Sequence, residues 1–197
     1  MLNQQSDSKL WQSFQSGDRS AFEQILEQHY HAMLNYGYRL VQNKDLAYDC
    51  IQDFFVELWN RRQFLDTPQS IKAYLLASYK RRLLKEKGKN FWNKNTTQLN
   101  DDIDIEVQFN IESYLINNEI EHETLIRLEK ELASLSKRQR EALYLRFYQE
   151  LEYDEISKIM DINHHSSINL VYEALKSMRK NWVMSVLVPV CIAFHNL

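Results

Sequence analysis

The sequence predicts an all-α protein of two small helical domains joined by an acidic flexible linker, the C-terminal domain a helix-turn-helix. Three observations predict it. Only three Gly and two Pro stand among 197 residues, too few for a chain of tight hairpins. Apolar residues recur at helical spacing over long stretches, and no convincing stretch alternates with period two. Residues 90–110, with NKNTTQLNDD at their centre, are polar and acidic and interrupt the helical pattern. A chain of this length buries one good core or two small ones.

The elements follow in order. Ser6 to Ser16 forms a short first helix that stops at Gly17. The second runs from about Ser20 to Val41, with Phe22, Ile25, Leu26, Tyr30, Met33, Leu34 and Leu40 on one face. Asn43 caps a third helix that continues to Arg62. Thr67-Pro68, a cap followed by a first-turn proline, opens a fourth that reaches about Lys89. These make a first domain of residues 1–92, followed by a linker at 93–111. A helix from about Ile111 to Leu135 leads into a second domain, residues 112–182. Ser136 and Gln139 form a capping box that opens a helix carrying Leu143, Leu145 and Phe147. A short helix near Tyr153–Met160, a turn at Asp161–Asn163 and the long helix of INHHSSINLVYEALKSMRK then make a helix-turn-helix.

A net charge of −3 hides a segregation. From Arg61 to Lys94 there are ten basic residues against Asp66 and Glu86; from Asp101 to Glu131 there are ten acidic ones against Arg127 and Lys130. The compact basic block points to contact with a nucleic acid. Cys50 and Cys191 lie far apart in apolar patterns and read as core thiols of a reducing cytosol. The start, MLNQQSDSKLW, lacks the basic-then-apolar order of a signal peptide. The tail at 183–197 belongs to an apolar run, Trp182 to Phe194, about 13 residues long and interrupted by Pro189. That is short of the ~20 needed to span a bilayer, so it folds on the core or a partner and inserts in no membrane. The chain is therefore read as cytoplasmic. No Gly-rich phosphate loop, no Cys cluster with metal spacing and no Ser/His/Asp set indicates an enzyme or a cofactor. His164 and His165 diverge by about 100° on a helix and make poor joint metal ligands.

Two blocks carry a resemblance. GDRSAFEQILEQHYHAMLNYGYRL with DCIQDFFVELW, and then LSKRQREALYLRFYQELEYDEISKIM beyond an acidic linker, resemble the sigma-70 family of bacterial RNA polymerase sigma factors. The likeness is to its two-domain extracytoplasmic-function group and covers most of the chain. It implies a transcription initiation factor that binds core RNA polymerase and promoter DNA. In the first block Ile51, Phe54, Phe55, Leu58 and Trp59 recur at core spacing, which leaves Asp49, Gln52, Asp53 and Glu57 on the exposed side. The resemblance implies that this ridge docks on the clamp helices of the polymerase's largest subunit, with the flap region as a further contact. The fourth helix carries Lys72, Lys80, Arg81, Arg82, Lys85 and Lys87, a set suited to neutralising phosphates. In the family this helix and the loop before it meet the −10 element. Phe64, Leu65, Asp66, Thr67 and Ser70, in a loop braced by Pro68, would shape a pocket for a base flipped from the melted strand.

The second block departs from the family at its last helix. Asp161 stands where the turn usually has Gly, and Ser167 where a valine-like residue is common. Ile168 and Glu173 stand where family members generally carry Lys or Arg. By spacing, Leu170, Val171, Ala174, Leu175 and Met178 make a buried stripe. His165, Ile168, Asn169 and Tyr172 make an outward face flanked by His164 and Glu173. Two readings of that face compete. It reads a −35 element weakly, through Asn169, Tyr172 and backbone amides at the helix N-terminus. Or it presents an apolar-centred surface to a DNA-bound partner that recruits the polymerase complex, as in sigma factors that work with nuclease-dead RNA-guided CRISPR effectors. An anti-sigma factor is another partner class. Two other functions stay open. A degenerate sigma-like protein that merely occupies polymerase should lack the Lys80–Lys89 block. A stand-alone helix-turn-helix regulator leaves the first domain unexplained.

Overall fold

Local caps and stops set most of the helix ends. A computed structural model describes residues 2–92 and 122–181, in two units divided between Asp102 and Ile103, with no strand among the described residues. In the first unit α1 (Leu2–Gln15) stops at Gly17, whose φ of 94° suits glycine. The amides of Gly17 and Asp18 donate to Phe14 O and Ser13 O at 3.0 and 3.1 Å, the paired bonds of a Schellman stop. Asp18 then caps α2 (Arg19–Val41), its carboxylate accepting from the Ser20 amide at 2.9 Å. That helix ends at Gln42, which adopts a left-handed φ of 52°. Asn43 caps α3 (Lys44–Arg61) by accepting the Leu46 amide at 3.0 Å, and a 3-10 turn, Arg62–Phe64, follows.

The fourth helix corrects the sequence reading. α4 spans Ile71–Trp92 and does not begin at Thr67-Pro68. Ser70 is its cap: the hydroxyl accepts the Ala73 amide at 3.2 Å and the carbonyl accepts the Tyr74 amide at 3.1 Å. The chain before it stays non-helical because α1 side chains take the carbonyls of Leu65 and Asp66.

The first unit closes on Ile25, Met33, Tyr36 and Leu40 of α2, Ile51 of α3, and Leu75, Leu76, Tyr79 and Leu83 of α4, all fully buried. Each such apolar side chain contributes about 1.5–3 kcal/mol on leaving water. Gly37 lets α2 approach α4, for a Cβ there would collide with the ring and hydroxyl of Tyr79. That hydroxyl donates to Ala47 O at 2.7 Å, so one residue ties three helices together, and burial raises the pKa of its phenol. Trp11 and Phe14 bring α1 onto an aromatic group that runs through Phe22 to Trp59, with ring centroids 5.8 Å apart for Phe14–Phe22 and 5.1 Å for Phe22–Trp59. Trp59 is half-buried rather than core. Cys50 is a buried free thiol whose pKa is raised, first by burial and then by the charge of Glu86.

The second unit contains α5 (His122–Ser134), α6 (Lys137–Leu143), α7 (Tyr153–Met160) and α8 (His164–Asn181). Ser136 and Gln139 make the reciprocal capping box at 3.0 and 3.3 Å. The end of α6 widens into a π turn, Tyr144–Tyr148, where the Gln149 amide reaches back to Tyr144 O at 3.0 Å. Tyr144 and Tyr148 stack at 4.9 Å, and buried Gln149 donates to the Tyr144 hydroxyl at 2.9 Å. Arg146 secures the next bend. It donates to Leu151 O at 2.8 Å, pairs with Glu152 at 3.1 Å and lies 5.0 Å over the Tyr153 ring. Between α7 and α8, Asp161 is left-handed at φ 52° and ψ 54°, and Asn163 accepts the Ser166 amide at 2.7 Å. The acidic linker, the helix start near Ile111, the C-terminal tail and Cys191 lie outside the described residues.

Candidate functional site

α3 carries Asp49, Gln52, Asp53 and Glu57 along one exposed side. Asp49, Asp53 and Glu57 form a row at i, i+4 and i+8. Arg82 of α4 closes on two of them, with Nη2 donating to Asp53 Oδ2 at 3.1 Å and Nη1 to Glu57 Oε2. Arg61 adds a pair with Glu57 at 3.3 Å. The ridge is therefore partly neutralised from within its own chain. Two apolar-bodied residues on this side are missing from the sequence reading: Val56 is 62% exposed and Tyr48 is 48% exposed. They stand four residues on either side of Gln52, so the helical spacing that found the ridge also identifies them.

The cations of α4 do not gather on one face. Arg81 and Lys85 are exposed and one turn apart, while Lys72 and Lys87 are half-buried. Lys80 is only 7% exposed, and Arg82 is turned toward α3. Consecutive residues on a helix diverge by about 100°, so a run such as Lys80-Arg81-Arg82 cannot share a side. Arg81 folds onto its own helix, donating to Ala77 O and Ser78 Oγ at 3.3 Å each. Beside this group His29 has its pKa lowered to about 4, by burial first and by the charge of Lys72 second.

The loop from Phe64 to Ser70 is held from α1. Gln15 Nε2 donates to Leu65 O, and the Trp11 indole N–H donates to Asp66 O at 3.1 Å. The Thr67 hydroxyl completes the tie by donating to Gln15 Oε1 at 3.4 Å. Phe64 is 82% exposed, Asp66 and Thr67 are exposed, and Leu65, Pro68 and Ser70 are half-buried. Arg62 fixes the base of the loop by donating to Trp59 O at 2.8 Å and stacking 4.3 Å over the Trp59 ring. The sequence reading gave α1 no part in this loop, because nothing local marks a contact between residues some fifty positions apart.

On α8, Val171, Ala174 and Met178 are buried, and Leu170 and Leu175 are half-buried. Ser167 completes the inner stripe. It is fully buried, with its hydroxyl 2.7 Å from His164 O and 3.0 Å from Tyr153 O. His165, Asn169, Tyr172 and Glu173 face solvent, whereas Ile168 is half-buried and belongs only in part to the outward face. His164 stands 3.6 Å from Asp154 and edge-on to Tyr153. Lys176 reaches Glu173 at 3.4 Å and sits 5.7 Å over the ring of Tyr172. Among the described residues no group of three His, Cys, Asp or Glu could hold a metal ion, and no helix is long and apolar enough to cross a membrane.

Comparison with known proteins accounts for both units. The family profile for Sigma-70 region 2 matches residues 25–92, and the one for Sigma-70, region 4 matches residues 125–178. The chain is similar to the RNA polymerase sigma factor YlaC of Bacillus subtilis (strain 168), 27% identical over 175 residues that cover 85% of this chain and 95% of that protein. Its fold is similar to that of CnrH in complex with the cytosolic domain of CnrY, at a TM-score of 0.57 and 16% identity over 88% of this chain and 95% of that one. It is also similar to the sigma factor RpoE in complex with the anti-sigma factor NepR from Bartonella quintana. There the TM-score is 0.54 and the identity 18%, over 81% of this chain and 94% of that one.

Proposed function

This chain belongs to the sigma-70 family of RNA polymerase sigma factors, extracytoplasmic-function type, and on that premise we propose how its surfaces share the work of transcription initiation. A sigma factor is not an enzyme; the polymerase carries the chemistry. The Asp49–Glu57 side of α3 docks on the clamp helices of the largest subunit of core RNA polymerase, and the second unit reaches the flap region. Arg81 and Lys85 neutralise promoter phosphates, which supplies affinity without sequence information. The loop from Phe64 to Ser70, held by Trp11 and Gln15, receives an unstacked base of the −10 element and supplies the choice. The protein acts in the cytoplasm.

The helix-turn-helix has a different task. Its outer face is the observation that carries this reading. α8 has no Lys or Arg between His164 and Leu175, exposes Tyr172 at 60%, and spends Lys176 on Glu173. Such a face suits a protein better than the phosphates flanking a −35 element. The partner is a DNA-bound protein that brings the polymerase to its promoter, of the kind of a nuclease-dead RNA-guided CRISPR effector. An anti-sigma factor is the second partner class, supported by the solved complex of the similar RpoE with NepR.

A gel shift on melted −10 DNA, with and without core polymerase, tests the sigma reading itself. The complex is expected only when core is present. Tight binding to duplex DNA by the chain alone would make it a stand-alone regulator. Core binding without any DNA complex would make it a mere occupant of polymerase.

A further inference from the structure

Arg82 touches both surfaces of the first unit. It stands on α4 three residues from exposed Lys85, yet both of its Nη atoms bond carboxylates of α3. Asp53 and Glu57 remain 71% and 52% exposed in this arrangement, while the Arg82 side chain is 24% exposed. The carboxylates are thus open to a second partner on their solvent side; the guanidinium is largely covered. Its Nε is buried without a hydrogen-bond partner, which offsets part of what the two pairs contribute. The carboxylate ends of these pairs stand open to water, which screens them, so the pairs are weak enough to exchange.

We propose that Arg82 is an intramolecular competitor for the docking ridge: it occupies Asp53 and Glu57 in the free chain and yields them to a guanidinium-bearing group of core polymerase. The inference rests on the reading of the α3 ridge as the polymerase-docking surface. Two carboxylates placed to receive both ends of one guanidinium receive another in the same way. Release returns Arg82 to α4 beside Lys85, where it adds a positive charge to the helix that faces the promoter. Docking and DNA binding are coupled through this one side chain, and the coupling is reciprocal. Arg82 is a positioning residue of the ridge, not a resident phosphate contact.

The test is a fluorescence titration of full-length chain with core RNA polymerase, from low to moderate salt. It compares wild type, Arg82→Gln, Arg82→Lys, Glu57→Gln and the double variant Arg82→Gln/Glu57→Gln, with a melting curve for each. Removing the competitor is expected to tighten core binding by about two- to fivefold at low salt and to steepen its salt dependence. Arg82→Lys keeps the stem and charge but cannot span both carboxylates, so it moves binding the same way by less. In the Glu57→Gln background the gain from Arg82→Gln shrinks. A purely structural Arg82 would instead weaken core binding in step with the melting temperature. That result, or unchanged binding, overturns the proposal and leaves the docking reading standing if Asp49→Ala and Asp53→Asn still weaken binding. Wild-type binding by those two ridge variants overturns the docking reading and the proposal together.

Discussion

Ser167 is a polar residue in an apolar place, and its burial is tolerated because the hydroxyl has two carbonyls within reach, on His164 and Tyr153. One proton serves one of them at a time: the bond to His164 O stays within α8, and the bond to Tyr153 O ties the start of α8 to the start of α7. The sequence flags Ser167 as unusual but cannot supply the Tyr153 carbonyl that makes it acceptable. His29 is the converse case, a half-buried imidazole that no motif singles out. Its pKa falls from 6.5 to about 4 through burial first and Lys72 second. The unfolded chain binds that proton near pH 6.5 and the folded chain only near pH 4. Between those values the unfolded state holds more protons, so stability falls as pH falls. The contribution is complete above pH 6.5 and lost by about pH 4. His29→Gln is expected to flatten the stability curve across that window, measured by urea denaturation in small pH steps. An unaltered slope would assign the pH dependence to other groups.

At the scale of elements, α1 shows where local reading stops. Its helix and its stop at Gly17 are legible from spacing and from one glycine. Its use is not, because Trp11 and Gln15 act on carbonyls that the chain reaches only after two more helices. The late start of α4 has the same origin. Thr67-Pro68 is a good local opening, overridden by tertiary bonds that hold the chain away from helix until Ser70. Trp11→Phe removes one of these bonds and Gln15→Ala removes two, to Leu65 O and from the Thr67 hydroxyl, each variant at a cost of at least about 1 kcal/mol in loop order. Promoter opening should then fall about fivefold with core binding unchanged, as read by permanganate reactivity of the −10 thymines. An equal loss of core binding would place the damage in the whole unit rather than in the loop. The recognition helix allows a gain-of-function prediction. Ile168→Arg with Glu173→Arg, in complex with core, should raise affinity for promoter duplex and increase the salt slope by about two. No change in either would mean that this face of α8 never approaches phosphate.

For the molecule as a whole, few glycines and long helical periodicity were enough for the all-α class. The sigma factor family was legible only through the resemblance of two blocks, GDRSAFEQILEQHYHAMLNYGYRL with DCIQDFFVELW and LSKRQREALYLRFYQELEYDEISKIM. Segregated charge pointed correctly to a basic helix but not to the fate of its members. Helical spacing gives a direction for each side chain, and only the packed neighbours decide that Lys80 is buried and Arg82 is claimed by α3. The π turn at Tyr144–Tyr148 escaped for a related reason: a single wide turn leaves no period to detect. In the second unit α8 carries no Lys or Arg between His164 and Leu175, its cations Lys176, Arg179 and Lys180 all following that stretch. The most direct measurement is transcription from a random promoter library by purified chain and core polymerase with no other factor. The start sites are expected to share a −10-like element and no fixed −35 hexamer. Strong initiation from a −35 and −10 pair at constant spacing would show that α8 reads DNA unaided, and recruitment by a partner would be excluded.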